Sequence, residues 1–385
     1  MKKIGFLIAP DENWLGGVNY YKNLFWALCD YASNEWEVVV FVPKTYDLDI
    51  IKDYPPAIKI VRLSVLSPWS CVGIIRRIIR KLFKNDYMLK RSLDRHGISV
   101  VSHISGEFRC RGIKKIAWIP DFQHKYLPNF FSKDELKARD RAFLHLAKAA
   151  DIVVLSSNVA KADFIRFFPV YKEKAQVLQF VPRLEYESVP NLRTLCSNYS
   201  IPKKFFYLPN QYWIHKNHKI VLRALKLLQD EGREVVVIST GKASDYRAPR
   251  LMDEIELYIR ENRLQHVYRI LGTIPYVDTR GLSMYCHAFI NPSLFEGWST
   301  TVEEAKCYGK PILLSDLSVH REQKPANGIF FDPKNAQELA DKMWEVWNIS
   351  NEQCDVDALL EINHNNQKAF AERYWQILGM VGKDD

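Results

Sequence analysis

Short runs rich in valine and isoleucine recur along almost the whole chain, each followed by a stretch of helical periodicity. The runs fall at 3–9, 37–42, 58–65, 98–104, 115–119, 152–156 and 177–181, and again at 205–208, 234–239, 267–271, 288–291 and 311–315. They are apolar on both faces, whereas a strand with one wet face alternates apolar and polar residues. Several end in Pro, Gly, Ser or Asn, as buried parallel strands with loops at their carboxyl ends do. The class that follows is α/β with doubly wound sheets. A chain of 385 residues exceeds one ordinary core and fits two domains. Segment 182–202 carries three prolines and no apolar periodicity, which puts the linker there. The expected division is 1–185, 186–362, and a closing helix within 363–385 that packs back towards the first domain. In that last piece Ala369, Phe370, Tyr374, Ile377 and Leu378 recur at helical spacing.

Composition narrows the class further. The charged start Met1-Lys2-Lys3 leads into an apolar run that stops at Pro10-Asp11-Glu12, so it reads as a first strand and not as a signal peptide. No uninterrupted apolar run is long enough to cross a bilayer. The seven cysteines are scattered and include no CxxC pair, which points to reduced thiols in a cytoplasmic protein. A net charge of +9 asks for an acidic partner: nucleic acid, a membrane surface or a phosphorylated substrate.

The most informative stretch runs from Asn291 to Pro311. A strand ends at Asn291-Pro292, Gly297 permits a turn, and Thr300 with Glu303 reads as a capping box that opens a helix, which Gly309 and Pro311 close. Such a loop leaves backbone N–H groups aimed outward at a helix N-terminus, which in physical terms is a diphosphate site. Glu296 precedes the turn and Glu304 lies about one turn into the helix, on either side of those amides and suited to sugar and ribose hydroxyls. The plainer reading, one glutamate capping a helix and the other solvated, stands beside it. In a second stretch a strand ends at Pro209-Asn210, a loop passes through His215 and Lys216, and Asn217 caps an amphipathic helix with Ile220, Val221, Ala224, Leu225 and Leu228 inward. Lys216 meets an anion there or is a solvated charge.

These residues together resemble a retaining glycosyltransferase of family 4, one of the glycosyl transferases group 1. The likeness rests on the Glu296 and Glu304 spacing, the preceding Asn291-Pro292-Ser293, the following Gly309-Lys310-Pro311, Lys216 in its helix-start loop, and Gly16-Gly17 before a helix. It implies a GT-B fold of two Rossmann-like domains facing a central cleft. The activity implied is transfer of a hexose-type sugar from a nucleotide-diphosphate sugar to a saccharide or lipid-linked saccharide, in surface polysaccharide synthesis. The nucleotide is left open among GDP, UDP and dTDP, no cofactor is bound, and no metal is required. Carried over by position, Lys216 pairs with the donor diphosphate. Gly297, Trp298 and Ser299 lead to the amides of Thr300 and Thr301 at the distal phosphate. Glu296 touches the transferred sugar, Glu304 grips the ribose, and the turn holding Ile274 receives the base. Gly16 and Gly17, in a loop entering a buried helix, give close backbone approach to donor or acceptor.

Two departures stand out. Relatives often carry an arginine where this chain has Asn210, so His215 is expected to make up part of the missing charge. Where relatives have His-Asp this chain has Pro120-Asp121, and Asp121 and His124 are the candidates near the sugar. The Asp47/Asp49 and Asp355/Asp357 pairs look like metal-binding DxD but sit away from the other motifs and read as solvated. A basic amphipathic stretch, 73–84, sets six apolar residues beside Arg76, Arg77, Arg80, Lys81 and Lys84. It docks on an anionic membrane surface, or its apolar stripe packs on the sheet; both readings stand. The competing functions are a GT-B-fold sugar-nucleotide epimerase or phosphorylase and a basic nucleic-acid-binding protein. The last is disfavoured because the cations concentrate in one stretch and no nucleic-acid motif appears, so no nucleic-acid partner is expected.

Overall fold

The computed structural model describes residues 1–9, 15–184, 189–350 and 355–381. The chain divides into two compact units, one made of Met1–Phe122, Lys133–Arg183 and His364–Asp385, the other of Gln123–Ser132 and Leu184–Asn363.

The sheet of the first unit contains β1 (Lys2–Leu7), β2 (Trp36–Pro43), β3 (Lys59–Leu63), β4 (Ile98–Ile104), β5 (Lys114–Ile119), β6 (Ile152–Leu155) and β7 (Ala175–Val177). Their order is β3-β2-β1-β4-β5-β6-β7, every pair parallel. In the second unit β8 (Phe206–Leu208), β9 (Val237–Ser239), β10 (Tyr268–Ile270), β11 (Ala288–Asn291), β12 (Ile312–Ser315) and β13 (Gly328–Phe331) take the order β10-β9-β8-β11-β12-β13, again all parallel. Each sheet thus winds outward one way, returns to the centre and winds outward the other way. The reversal falls between β1 and β4 in the first unit and between β8 and β11 in the second.

The continuous apolar runs are explained by the two-sided burial of these strands. Successive side chains of a strand point to opposite faces. Phe206, Leu208, Val237, Ile290 and Leu313 pack on one side with Ala224, Leu225 and Leu228 of helix His218–Asp230 and with Leu339 and Met343 of helix Ala336–Asn348. Tyr207, Ile238, Phe289, Ile312 and Leu314 face the other side, against Leu195, Leu282, Val302 and Ala305. In the first unit Phe6 of β1 meets Phe25 edge-on at 5.0 Å and stacks with Tyr374 at 6.1 Å. Tyr374 belongs to helix Val356–Val381, whose portion from His364 onward is part of that unit.

Several local expectations are corrected. β7 lies at Ala175–Val177, not 177–181, and β13 was not anticipated. Segment 182–202 is not structureless: it contains helix Leu192–Tyr199, capped by Asn191 Oδ1 accepting from Thr194 N at 2.9 Å and pinned by the buried Leu195. Two turns with one buried anchor are too short to show periodicity. Residues 185–188 of that segment lie outside the described residues. Gly16 and Gly17 are not in a loop, because helix Leu15–Asp30 begins ahead of them. Six cysteines among the described residues are free thiols.

Leu313, on the central face of the second sheet, has no exposed surface. Leu313→Ala is expected to destabilise the second unit by about 3 kcal/mol, the transfer cost of the lost methyls plus the cavity they leave. Denaturant unfolding followed by tryptophan fluorescence reads this.

Candidate functional site

Because β8 and β11 are neighbours at the reversal, the loops leaving their carboxyl ends meet, and open α/β sheets bind ligands at such points. Asn210 Nδ2, from the β8 loop, donates to Asn291 Oδ1 at the end of β11 across 3.2 Å, and Asn291 Nδ2 donates to Ser299 Oγ at 2.7 Å. Ser293 Oγ stands 3.0 Å from Asn291 Oδ1 and 2.6 Å from Glu296 Oε1. Lys216 Nζ donates to the same Glu296 oxygen at 2.6 Å, with 15% of the lysine side chain and 9% of the glutamate exposed. Lys216 ends a turn of 3-10 helix, Ile214–Lys216, and Asn217 follows in the left-handed region at φ 56°. Asn217 makes no side-chain cap for the next helix, contrary to expectation. Its amide donates to the carbonyls of Pro292 and Pro333, at 3.1 and 2.9 Å, and so ties the β8 loop to the β11 loop.

The helix after β11 is Thr300–Cys307, and its cap is Ser299, not Thr300: Ser299 Oγ accepts from Val302 N. The expected capping box does not form. Glu303 points elsewhere, buried, taking Lys306 Nζ at 2.9 Å and Gln323 Nε2 at 2.8 Å. Gln323 also accepts from Ser299 N and donates to Ser299 O, holding the peptide groups on both sides of that residue. The amides of Thr300 and Thr301 are left without a hydrogen-bond acceptor among the described residues. Unpaired N–H groups at a helix start carry partial positive charge and suit an anion. Gly309, at φ 62°, then closes the helix, with Lys310 N donating to Ala305 O.

Glu304 is half-buried on this helix, and among the described residues its carboxylate has no hydrogen bond or ion pair. Burial without compensation pushes its carboxyl from the usual 4.5 up to about 7. A carboxylate in that state accepts hydroxyl donors from a ligand without giving up a protein partner.

His215 does not supply the charge expected of it. It is 4% exposed, and burial first, then the charges of Lys216 and Arg247, hold its pKa well below the ordinary value. Arg247 Nη2 stands 3.2 Å from its Nδ1. Arg247 is paired with Asp245 at 2.9 Å and donates to Gln123 Oε1 at 2.9 Å. Asp245 also receives Ile214 N at 2.9 Å. Burial raises the Asp245 carboxyl, but the bonds from Arg247 and Ile214 outweigh it and the net shift is downward.

Asn210, His215, Lys216, Glu296, Ser299 and Thr301 are therefore brought together, Thr301 Oγ1 lying 3.5 Å from Asn210 Oδ1. Gly297 and Trp298 lie half-buried in the connecting loop. Ile274 packs on the core beneath the β10 loop, which Gly241 N reaches through Gly272 O at 2.9 Å. Gly16, Gly17 and Asp121 belong to the first unit, whereas His124 belongs to the second and is buried in a short helix, Gln123–Tyr126. Sequence reasoning missed Ser293's contact with Glu296, Gln323, His320, Asp245, Arg247 and Gly241. Among the described residues no group of three His, Cys, Asp or Glu is placed to hold a metal ion, and no helix is long and apolar enough to cross a membrane.

With this geometry in hand, the likeness to known proteins falls where the site lies. Residues 199–356 match the family described as Glycosyl transferases group 1. That span holds β8 to β13 and every residue of the cluster. A curated relative, O-antigen chain mannosyltransferase B of Escherichia coli, is 23% identical over 232 residues, covering 56% of this chain and 59% of that protein. The chain thus matches about three fifths of that relative's length. Among solved structures, a glycosyltransferase from Rickettsia africae ESF-5 aligns over 100% of this chain and 99% of its own with a TM-score of 0.66 at 14% identity. HepE of Anabaena, in complex with UDP and glucose, aligns over 99% and 98% with a TM-score of 0.66 at 16% identity. At these identities the structures establish the fold, two parallel-sheet domains of the GT-B kind.

The raised carboxyl of Glu304 makes a stability prediction. In the unfolded chain the group titrates near 4.5, so its contribution to folding is whole below that pH and is lost as pH rises through about 7. Glu304→Gln removes that loss. The variant should match the parent near pH 4.5 and exceed it by roughly 1 to 3 kcal/mol at pH 8.5, as read by denaturant unfolding at the two pH values.

Proposed function

We propose that the chain is a retaining glycosyltransferase that moves a hexose-type sugar from a nucleotide-diphosphate sugar to a saccharide or lipid-linked saccharide in surface polysaccharide synthesis. On this reading it works in the cytoplasm, peripherally at the inner face of a membrane, and requires no metal. The observation that carries it is the Lys216–Glu296 pair at the β8/β11 reversal, beside the free amides of Thr300 and Thr301 and the unpaired carboxylate of Glu304. The family match over 199–356, the mannosyltransferase relative and the UDP-bound neighbour support it.

The diphosphate takes the ammonium of Lys216 from Glu296 and sits on the two amides. Glu296 is then freed to accept from hydroxyls of the sugar, while Glu304 accepts from the ribose and the turn around Ile274 lines the base. Asp121 and His124 are assigned to the neighbourhood of the sugar, and Gly16 and Gly17 to close backbone approach to donor or acceptor. As the bond to the anomeric carbon breaks, charge gathers on the departing diphosphate, where Lys216 and fixed backbone dipoles meet it without reorganising. Oriented dipoles in a partly dry site are worth more than the same groups in water.

Thermal-shift measurements against GDP-, UDP-, dTDP- and ADP-sugars identify the donor, because a ligand of the folded form raises its melting point. Lys216→Ala and Glu304→Ala are each expected to abolish most of that shift, and Lys216→Ala to lower kcat/KM on the order of a hundredfold or more. Donor affinity of the parent should rise with pH through about 7 as Glu304 ionises, and be flat in Glu304→Gln. NMR of the product should find the anomeric configuration of the donor. An inverted product, or shifts unchanged in both alanine variants, contradicts the assignment.

A further inference from the structure

The apolar stripe of the basic stretch does not pack on the sheet. Its helix, Cys71–Phe83, is capped by Ser70 Oγ, which accepts from Gly73 N at 3.0 Å. The opposite, inner face attaches it to the first unit. Gly73 is buried so closely that a Cβ there would lie 1.9 Å from the Ser67 carbonyl oxygen. Arg76 turns inward, its guanidinium binding both Asp86 oxygens at 2.6 to 3.0 Å and donating to Val65 O at 2.8 Å. Ile79 is half-buried on the same side. What remains outside is apolar: Ile78 is 55% exposed, Leu82 72% and Phe83 63%, with Ile74 and Ile75 beside them and Trp69 84% exposed just before the helix. Arg77, Lys81 and Lys84 flank this stripe in solvent, and from Tyr54 to Asn85 the chain has no acidic residue.

We propose that this face is a docking surface for an anionic lipid bilayer, with Ile74, Ile78, Leu82 and Trp69 entering the acyl boundary and Arg77, Lys81 and Lys84 held at the headgroups. A contiguous exposed apolar patch marks an interaction surface. A helix with one apolar and one cationic side lies in the plane of a membrane interface, its long basic side chains reaching back to the phosphates. Anionic headgroups are the complementary occupant. A second copy of the chain would bring the same cations against one another with no carboxylate on this segment to separate them. The inference deepens the peripheral placement proposed above, and vesicle binding is read without turnover, so its failure and the failure of sugar transfer are separate results.

The full chain should pellet with vesicles of equal parts phosphatidylcholine and phosphatidylglycerol and stay in solution with phosphatidylcholine alone. Raising the salt should release it, since headgroup attraction is screened. Each interfacial cation contributes about fivefold to partitioning, so Arg77→Ala, Lys81→Ala and Lys84→Ala combined should lower it on the order of a hundredfold. Ile78→Asp with Leu82→Asp should abolish pelleting. Both variants should stay close to the parent's melting temperature, because the replaced side chains lie in solvent and Arg77 meets, among the described residues, only the exposed ring of Trp69, at 5.3 Å, and the salt titration of the parent tests the electrostatic part without any variant. A parent chain that stays in solution with anionic vesicles, or a triple variant that pellets equally, overturns the proposal. So does a lipid-free dimer in sedimentation velocity that Ile78→Asp with Leu82→Asp dissolves, which would assign the stripe to a second copy.

Discussion

Asn291 has no exposed surface, yet its amide is engaged at both ends, with Asn210 donating to its oxygen and its nitrogen donating to Ser299. A buried amide in the core of a sheet is tolerated only when its donors and acceptors are met, since an orphaned one costs about 1 to 3 kcal/mol. That requirement fixes three things at once. The loop after β8 is held against the end of β11, the cap of the next helix is oriented, and through Ser293 the carboxylate of Glu296 is aimed at Lys216. His320 completes the arrangement. Its Nδ1 is 2.7 Å from Ser315 O, which leaves Nε2 as the acceptor facing Asn291 Nδ2 at 3.4 Å, and burial keeps the ring neutral. The site is rigid because the strand ends beneath it are cross-linked by groups that have nowhere else to bond.

Electrostatically the cluster is close to balanced before any ligand arrives. Lys216 is matched by Glu296, Arg247 by Asp245, and His215 between them is neutral. The uncompensated charges are the partial positive charge of two helix-start amides and the negative charge that Glu304 acquires as pH passes about 7. On the proposed reading a diphosphate adds its charge where the amides are, and Lys216 changes partner instead of leaving water. Exchanging one buried pair for another avoids the desolvation cost that a free lysine would meet.

What was legible in the sequence was whatever depends on local pattern. Buried parallel strands write themselves as short two-faced apolar runs, so twelve of the thirteen strands among the described residues had a counterpart. β13 was lost because Gly328–Phe331 is short and partly exposed at the sheet's edge. The Glu296 and Glu304 spacing and Lys216 were visible because each sits in one loop with its glycine or helix start. Gln323, His320, Asp245 and Arg247 were not, since they reach the cluster from other loops and only folding brings them within 3.5 Å of Ser299, Asn291, Ile214 and His215. Caps were misread for a related reason. Thr300 with Glu303 has the right letters, but Ser299 one residue earlier takes the cap because Gln323 bonds both its N–H and its carbonyl, and Glu303 is drawn away to Lys306.

The neutral residue at position 210 follows from the same enclosure. Asn210 is 3% exposed, its carbonyl is so near Gly241 that a Cβ there would come within 2.5 Å, and its side chain spans Asn291 and Thr301. A cation in that place would have to give up both amide bonds and remain charged away from water, which costs several kcal/mol unless a carboxylate comes with it. Two carboxylates of the cluster are already committed, Glu296 to Lys216 and Asp245 to Arg247. With the position closed to charge, holding an anion falls to Lys216 and the Thr300 and Thr301 amides, and the bridging amide serves instead to keep those groups at fixed distances from one another.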